Sequence, residues 1–66
     1  MNGKKLRELR EARGMTRRQV EDATGISQGS IWRLEADESS NPALSTVTKL
    51  AGLYGVEVAE LIEGGE

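Results

Sequence analysis

The chain has 66 residues, no cysteine, no histidine and a formal net charge of −2. This length allows one small domain, and the missing residue types exclude disulfides, thiolate–metal sites, the commonest metal ligand and the commonest general base. No apolar run approaches the roughly 20 residues that a membrane-spanning helix needs, so we expect a cytoplasmic protein with no membrane partner.

The charges are distributed unevenly along the chain. Residues 1–33 carry eight basic and four acidic side chains, a net +4, whereas residues 34–66 carry one basic and seven acidic side chains, a net −6. The first half could therefore neutralise phosphates, and the second half would be repelled by them. The alternative interpretation is uneven surface charge without a function.

Apolar residues at helical spacing predict a first helix over residues 4–13 and a second over residues 17–24. Thr16 is a suitable N-cap for the second helix, and Gln19 three residues later completes a capping box. Gly25 should end this helix, because glycine adopts the left-handed conformation without a steric cost.

Ser27 is the next N-cap and predicts a third helix over residues 28–36. Ile31 and Leu34 lie three residues apart and should face inward. The two helices and the glycine turn between them make a helix-turn-helix motif over residues 16–36.

A fourth helix is predicted to begin at Pro42 with Asn41 as its cap and to end before Gly55. A short apolar face over residues 58–62 indicates a fifth helix, and residues 64–66 should fray. No segment shows the alternation typical of a strand. The sequence therefore predicts an all-α fold, a compact five-helix bundle that forms a single domain over residues 1–66.

Helices this short are not stable alone in water, so their apolar residues must meet in one core. We expect a marginal core with no interior room for a substrate pocket. Its predicted members are Leu6, Leu9, Val20, Ile26, Ile31, Leu34, Leu44, Val47, Leu50, Leu53, Val56, Leu61 and Ile62.

An ordered set of short motifs covers about residues 3–63. They are Leu6-x-x-Leu9-Arg10, Gly25-Ile26-Ser27-Gln28, Ile31-x-x-Leu34-Glu35, Pro42-x-Leu44, Lys49-Leu50-Ala51 and Gly55-Val56. Together they resemble the phage Cro/repressor class of helix-turn-helix DNA-binding domains, also called the xenobiotic-response-element type. The resemblance implies a lambda-repressor-like fold whose third helix enters the major groove of DNA.

The outer face of the third helix carries the candidate base contacts. Gln28 could bond bidentately to adenine, and Arg33 could bond to guanine or to a phosphate. The resemblance implies that Gln28, Gly29 and Arg33 all occupy contact positions, although Gly29 offers only close backbone approach. Trp32 either packs against the helix flank, contacts a thymine methyl or sugar, or meets a protein partner.

Candidate phosphate contacts surround this face. Arg17 stands beside free amides at the start of the second helix, with Thr16 before it, and Ser27 caps the third helix. The resemblance adds Ser40 and Asn41, in a loop that corresponds to a second backbone-contacting segment but contains no Lys or Arg.

Two further positions concern the motif itself. The resemblance implies that Arg10 and Glu35 form a partly buried ion pair, whose role is orientation because desolvation offsets much of the attraction. Glu21 stands where the family usually has a small residue. Its carboxylate could turn to solvent or pair with Arg33 or Arg17, and the sequence leaves these alternatives open.

The function that this sequence predicts is sequence-specific binding of double-stranded DNA by a repressor-like transcriptional regulator that acts as a homodimer. The resemblance, together with apolar residues left over from the core, implies a dimer surface that consists of Tyr54, Val58, Leu61 and Ile62. The alternative is a protein-interaction, adaptor or antitoxin-like module on the same fold. We expect no enzyme and no cofactor, because the chain has no His, no Cys and no glycine-rich phosphate loop. We expect no metal, because the acidic spacing at Glu57, Glu60 and Glu63 is typical of a solvated helix face.

Overall fold

The computed structural model describes residues 1–37 and 39–63, without the side chain of Glu63. Within these ranges the chain forms five α-helices and no strand, so the all-α prediction is confirmed. The helices are α1 (Gly3–Ala12), α2 (Arg17–Thr24), α3 (Gln28–Ala36), α4 (Leu44–Tyr54) and α5 (Val58–Glu63). No described helix has the length and apolar character needed to cross a membrane. The predicted fraying of 64–66 concerns residues outside the described ranges.

Local chemistry sets the bounds of α2 and α3, which agree with the prediction. The Thr16 hydroxyl accepts from the Gln19 amide at 3.1 Å, and the Gln19 side chain accepts from the Thr16 amide at 2.8 Å. Gly25 ends α2 with a φ of +79°, which a residue with a Cβ adopts only with strain. Ser27 then caps α3 by accepting from the Ser30 amide at 3.2 Å.

The predicted bounds of the first helix were one residue too late at each end. The helix begins at Gly3 because the side chain of Asn2 accepts from the Lys5 amide at 3.0 Å, which makes Asn2 the N-cap. The backbone amide of Asn2 also donates to the carbonyl of Leu61 at 2.7 Å. This bond ties the start of α1 to α5.

The prediction that the fourth helix begins at Pro42 and is capped by Asn41 is wrong. The helix begins at Leu44, after an extended Ala43 that makes no side-chain capping bond. Leu44 is 68% exposed, so water can satisfy the free amides of this first turn without a side-chain cap.

All five helices contribute to one core. Its buried members are Leu6, Val20, Ile31, Leu34, Val47, Leu50, Ala51, Tyr54 and Leu61. The prediction was wrong for Leu44 and for Ile62, which is half exposed, and it omitted Ala51 and Tyr54. Leu44 lies at the exposed start of its helix, and Ile62 is one residue, or about 100°, away from the inward direction that Leu61 takes.

Helices α1 and α3 approach each other closely at Gly3. A Cβ atom on Gly3 would lie 2.4 Å from the backbone carbonyl oxygens of both Leu34 and Glu35. Only glycine fits at this distance, so α1 packs directly on the backbone at the end of α3. The contact fixes the position of α3 relative to the rest of the domain.

Candidate nucleic-acid interface

Helix α3 has one buried face and one exposed face. Ile31 and Leu34 point into the core, where 2% and 6% of their surfaces remain accessible. The four predicted base-contacting residues all lie on the exposed side: Gln28, Gly29, Trp32 and Arg33. Because α1 and α2 both pack against α3, the exposed face is held on a rigid support.

Three of the predicted phosphate-contacting residues lie at helix starts. The hydroxyls of Thr16 and Ser27 cap α2 and α3, so each already accepts a backbone hydrogen bond. Arg17 is the first residue of α2 and keeps about a third of its side chain exposed. These helix starts present the partial positive charge of unpaired amides, which favours phosphate oxygens.

The other two predicted phosphate-contacting residues lie beside Arg33. An open surface cleft of about 480 Å³ lies between the end of α3 and the start of α4, and Arg33, Ser40 and Asn41 are among its lining residues. The Ser40 hydroxyl donates to the carbonyl of Asp37 at 2.7 Å. The loop thus brings two neutral polar side chains next to an exposed guanidinium.

The structure contains the ion pair between Arg10 and Glu35. Glu35 accepts from Arg10 Nε at 2.8 Å and from Arg10 Nη2 at 3.1 Å, and both residues are buried. This hydrogen bonding raises the pKa of the Arg10 guanidinium above its usual value. Arg10 Nη1 also donates to the carbonyl of Met15 at 2.9 Å, so the pair joins α1, α3 and the loop before α2.

Sequence reasoning missed a third member of this network. Arg17 Nε donates to Glu35 Oε1 at 3.2 Å, although the two residues are 18 positions apart. No spacing rule connects them, since the contact depends on how α2 packs against α3. The buried carboxylate of Glu35 therefore orients the Arg17 side chain, while the exposed part of that side chain faces solvent.

Glu21 pairs with neither of the arginines that the sequence offered as partners. Its Oε1 instead accepts from Gln28 Nε2 at 3.1 Å. On the same helix, Arg17 pairs with Glu35 at 3.2 Å and Arg18 pairs with Asp22 at 3.4 Å. Glu21 thus acts on a candidate base-contacting residue directly.

The predicted dimer surface is wrong for two of its four residues. Tyr54 and Leu61 are 1% and 0% exposed and fill the core of a single copy, so neither is available to a second copy. Val58 is partly buried against the same core. Ile62 is half exposed and is the member of the set that still presents a large apolar surface.

Known proteins resemble this chain over nearly its whole length. A family model described as a helix-turn-helix domain matches residues 3–63. The HTH-type transcriptional regulator PuuR of Escherichia coli is 34% identical over 64 residues, which are 97% of this chain and 34% of that protein. The HTH-type transcriptional regulator DdrOP3 of Deinococcus deserti is 40% identical over 62 residues, 94% of this chain and 47% of the relative.

A third relative comes from a phage. The cryptic phage CTXphi transcriptional repressor RstR of Vibrio cholerae is 36% identical over 66 residues, 100% of this chain and 59% of the relative. The chain thus spans between about a third and three fifths of the length of these relatives.

Proposed function

Because the chain belongs to the helix-turn-helix domain family, as its motifs predicted, we propose that it binds double-stranded DNA sequence-specifically as the DNA-binding part of a transcriptional regulator. The observation that carries the proposal is the geometry of α3. This helix buries Ile31 and Leu34 and exposes the four candidate base-contacting residues on its other side. It is short and packs against both α1 and α2. A B-DNA major groove is wide enough to admit one such helix.

In the proposed complex, the start of α3 enters the groove. Gln28 and Arg33 bond to base edges, Gly29 lets the backbone approach closely, and the Trp32 ring contacts a thymine methyl or a sugar. Among the described residues, no atom outside the helix lies within 4 Å of where a Cβ on Gly29 would be, so the groove wall can approach the backbone there. An arginine bonded to guanine and a glutamine bonded to adenine are the pairings that base-edge geometry favours.

Contacts with the phosphates would fix the register of the domain on DNA. Arg17 supplies the charge at the start of α2, and the backbone amides near Thr16 and Ser27 supply neutral donors. Ser40 and Asn41 would contact the next phosphate on the far side of Arg33. Because these contacts carry no sequence information, they contribute affinity and salt dependence.

We also propose that the regulator acts as a homodimer in the cytoplasm. One helix in the groove contacts only a few base pairs, and paired half-sites one helical turn apart give the longer contact that repressors of this architecture use. With Tyr54 and Leu61 in the core, the remaining candidates for a dimer contact on α5 are Ile62 and the exposed part of Val58.

The test is selection from a random pool of duplex DNA at about 50 mM and 200 mM salt, followed by sequencing of the retained fraction. Wild-type protein should enrich a motif, and a repeat of that motif about one helical turn away would support the dimer. Arg33→Ala should lose one preferred position. Arg7→Ala makes the same charge change on the exposed side of α1, where Arg7 pairs with Glu11, and should retain the motif.

A protein-interaction module is the second candidate, because Trp32 on the outer face of α3 is 55% exposed. An exposed aromatic side chain of this size suits a protein partner as well as a base or sugar. In that case the pool would be retained weakly, lost at the higher salt and not enriched in any motif. Such a result would contradict the DNA-binding proposal.

A further inference from the structure

The contact between Glu21 and Gln28 crosses the turn of the motif. Glu21 lies in the second turn of α2 and is partly buried, whereas Gln28 is the first residue of α3 and is exposed. Their side chains meet with Glu21 Oε1 accepting from Gln28 Nε2 at 3.1 Å. In the proposed function, Gln28 is the residue that contacts adenine.

This contact determines which groups of the Gln28 amide remain available. A carboxylate can only accept hydrogen bonds, so it must face the NH₂ group of the amide and not its oxygen. The amide is thereby prevented from flipping, and its Oε1 points away from Glu21. One N–H and one oxygen remain for a further partner.

One donor beside one acceptor is complementary to adenine in the major groove, which presents an N6 amino donor beside the N7 acceptor. Guanine presents two acceptors at the corresponding edge, O6 and N7. An amide with a fixed orientation would place its oxygen against guanine O6, whereas a free amide could turn its NH₂ group towards both acceptors. The fixed orientation therefore favours adenine over guanine.

The backbone around the contact is well fixed. Val20, next to Glu21, is fully buried, and Ile31, one turn after Gln28, is 2% exposed. The turn between them is closed by the Gly25 amide, which donates to the carbonyl of Glu21 at 2.7 Å. The separation of the two side chains is thus set by the packing of α2 on α3.

On these grounds, and resting on the proposed DNA-binding function, we propose that Glu21 is a specificity-determining residue that orients the Gln28 amide and makes it prefer adenine to guanine. Glu21 does this through Gln28 and makes no base contact of its own. It is therefore a positioning residue, and its effect should disappear when Gln28 is removed.

The experiment compares the wild type with four variants in the random-pool selection and then in titrations against the enriched site and its adenine-to-guanine variants. Glu21→Ala should lower the adenine preference at one position by about tenfold, the scale of a bidentate base contact. Asp22→Ala is the matched control, because it removes the same charge from the adjacent residue, whose described partner is Arg18. It should keep the wild-type preference.

Gln28→Ala and the double variant Glu21→Ala/Gln28→Ala should show the same base preference as each other. Circular dichroism melting curves verify that every variant is folded. If the wild type enriches a motif and Glu21→Ala retains the full adenine preference, the orienting role is refuted and the DNA-binding function stands. A further loss of preference in the double variant would mean that Glu21 contacts a base itself, which also refutes it. A wild type that enriches no motif overturns both proposals.

Discussion

Replacing Glu35 by alanine tests the buried network that joins α1, α2 and α3. The substitution removes three hydrogen bonds, two from Arg10 at 2.8 and 3.1 Å and one from Arg17 at 3.2 Å. Arg10 is 7% exposed and would be left as a buried charge with the carbonyl of Met15 as its remaining described partner. Breaking one side of a buried ion pair typically costs about 3–5 kcal/mol.

We expect a loss of about 3 kcal/mol, the lower end of this range, because Arg10 keeps the Met15 carbonyl. For a domain of this size, each kcal/mol changes the melting temperature by roughly 4–8 °C, so Tm should fall by at least about 12 °C. Urea unfolding followed by circular dichroism measures the free energy, and a thermal melt measures Tm. Glu11→Ala removes an exposed pair with Arg7 and should leave both curves nearly unchanged.

A double variant separates the stranded charge from the loss of packing. In Arg10→Met/Glu35→Leu both charges are replaced by apolar side chains of similar size, and such replacements of buried ion pairs are often neutral or stabilising. The double variant should therefore be more stable than Glu35→Ala. The reasoning is refuted if the free energy of unfolding of Glu35→Ala lies within about 1 kcal/mol of the wild-type value. It is also refuted if the double variant is no more stable than Glu35→Ala.

Three further predictions follow from the glycines, the buried tyrosine and the arginine at the start of α2. Gly3→Ala should destabilise the fold by about 1–3 kcal/mol because its Cβ would meet backbone carbonyls at 2.4 Å. Gly29→Ala should stabilise α3 by about 0.5–1 kcal/mol, because its Cβ would meet no described atom outside the helix within 4 Å, and equal effects of the two variants in urea unfolding would contradict this packing. Burial raises the pKa of the Tyr54 phenol, because the folded state favours its neutral form. The free energy of unfolding should therefore be retained below about pH 10 and fall as the pH rises further. Tyr54→Phe should show a smaller fall above about pH 10 in the same unfolding assay, and an unchanged alkaline profile would exclude this cause. If the chain binds DNA as proposed, Arg17→Gln should reduce the slope of log affinity against log salt concentration by about 1. Arg18→Gln removes the same charge from the adjacent residue and is the control, so identical slopes for the two variants would count against the phosphate contact.

Several features of the fold were determined by residues close together in sequence. The capping box of Thr16 and Gln19, the left-handed Gly25 and the Ser27 cap act over at most four positions, and they set the bounds of α2 and α3 correctly. The outward direction of Gln28 follows in the same way, because helical periodicity fixes it once the inward residues are known. The motif and its exposed face could therefore be predicted from the sequence.

Tertiary structure decided which neighbour each side chain meets. The sequence predicted Leu44 in the core and Tyr54 on a dimer surface, but the packing of the helices buries Tyr54 and leaves Leu44 68% exposed. The same holds for the polar contacts of the site: Arg17 meets Glu35 and Glu21 meets Gln28 because α2 crosses α3 at one particular position. A sequence pattern gives the direction of a side chain on its own helix, whereas its partner depends on the distance and angle between helices, which the whole core sets at once.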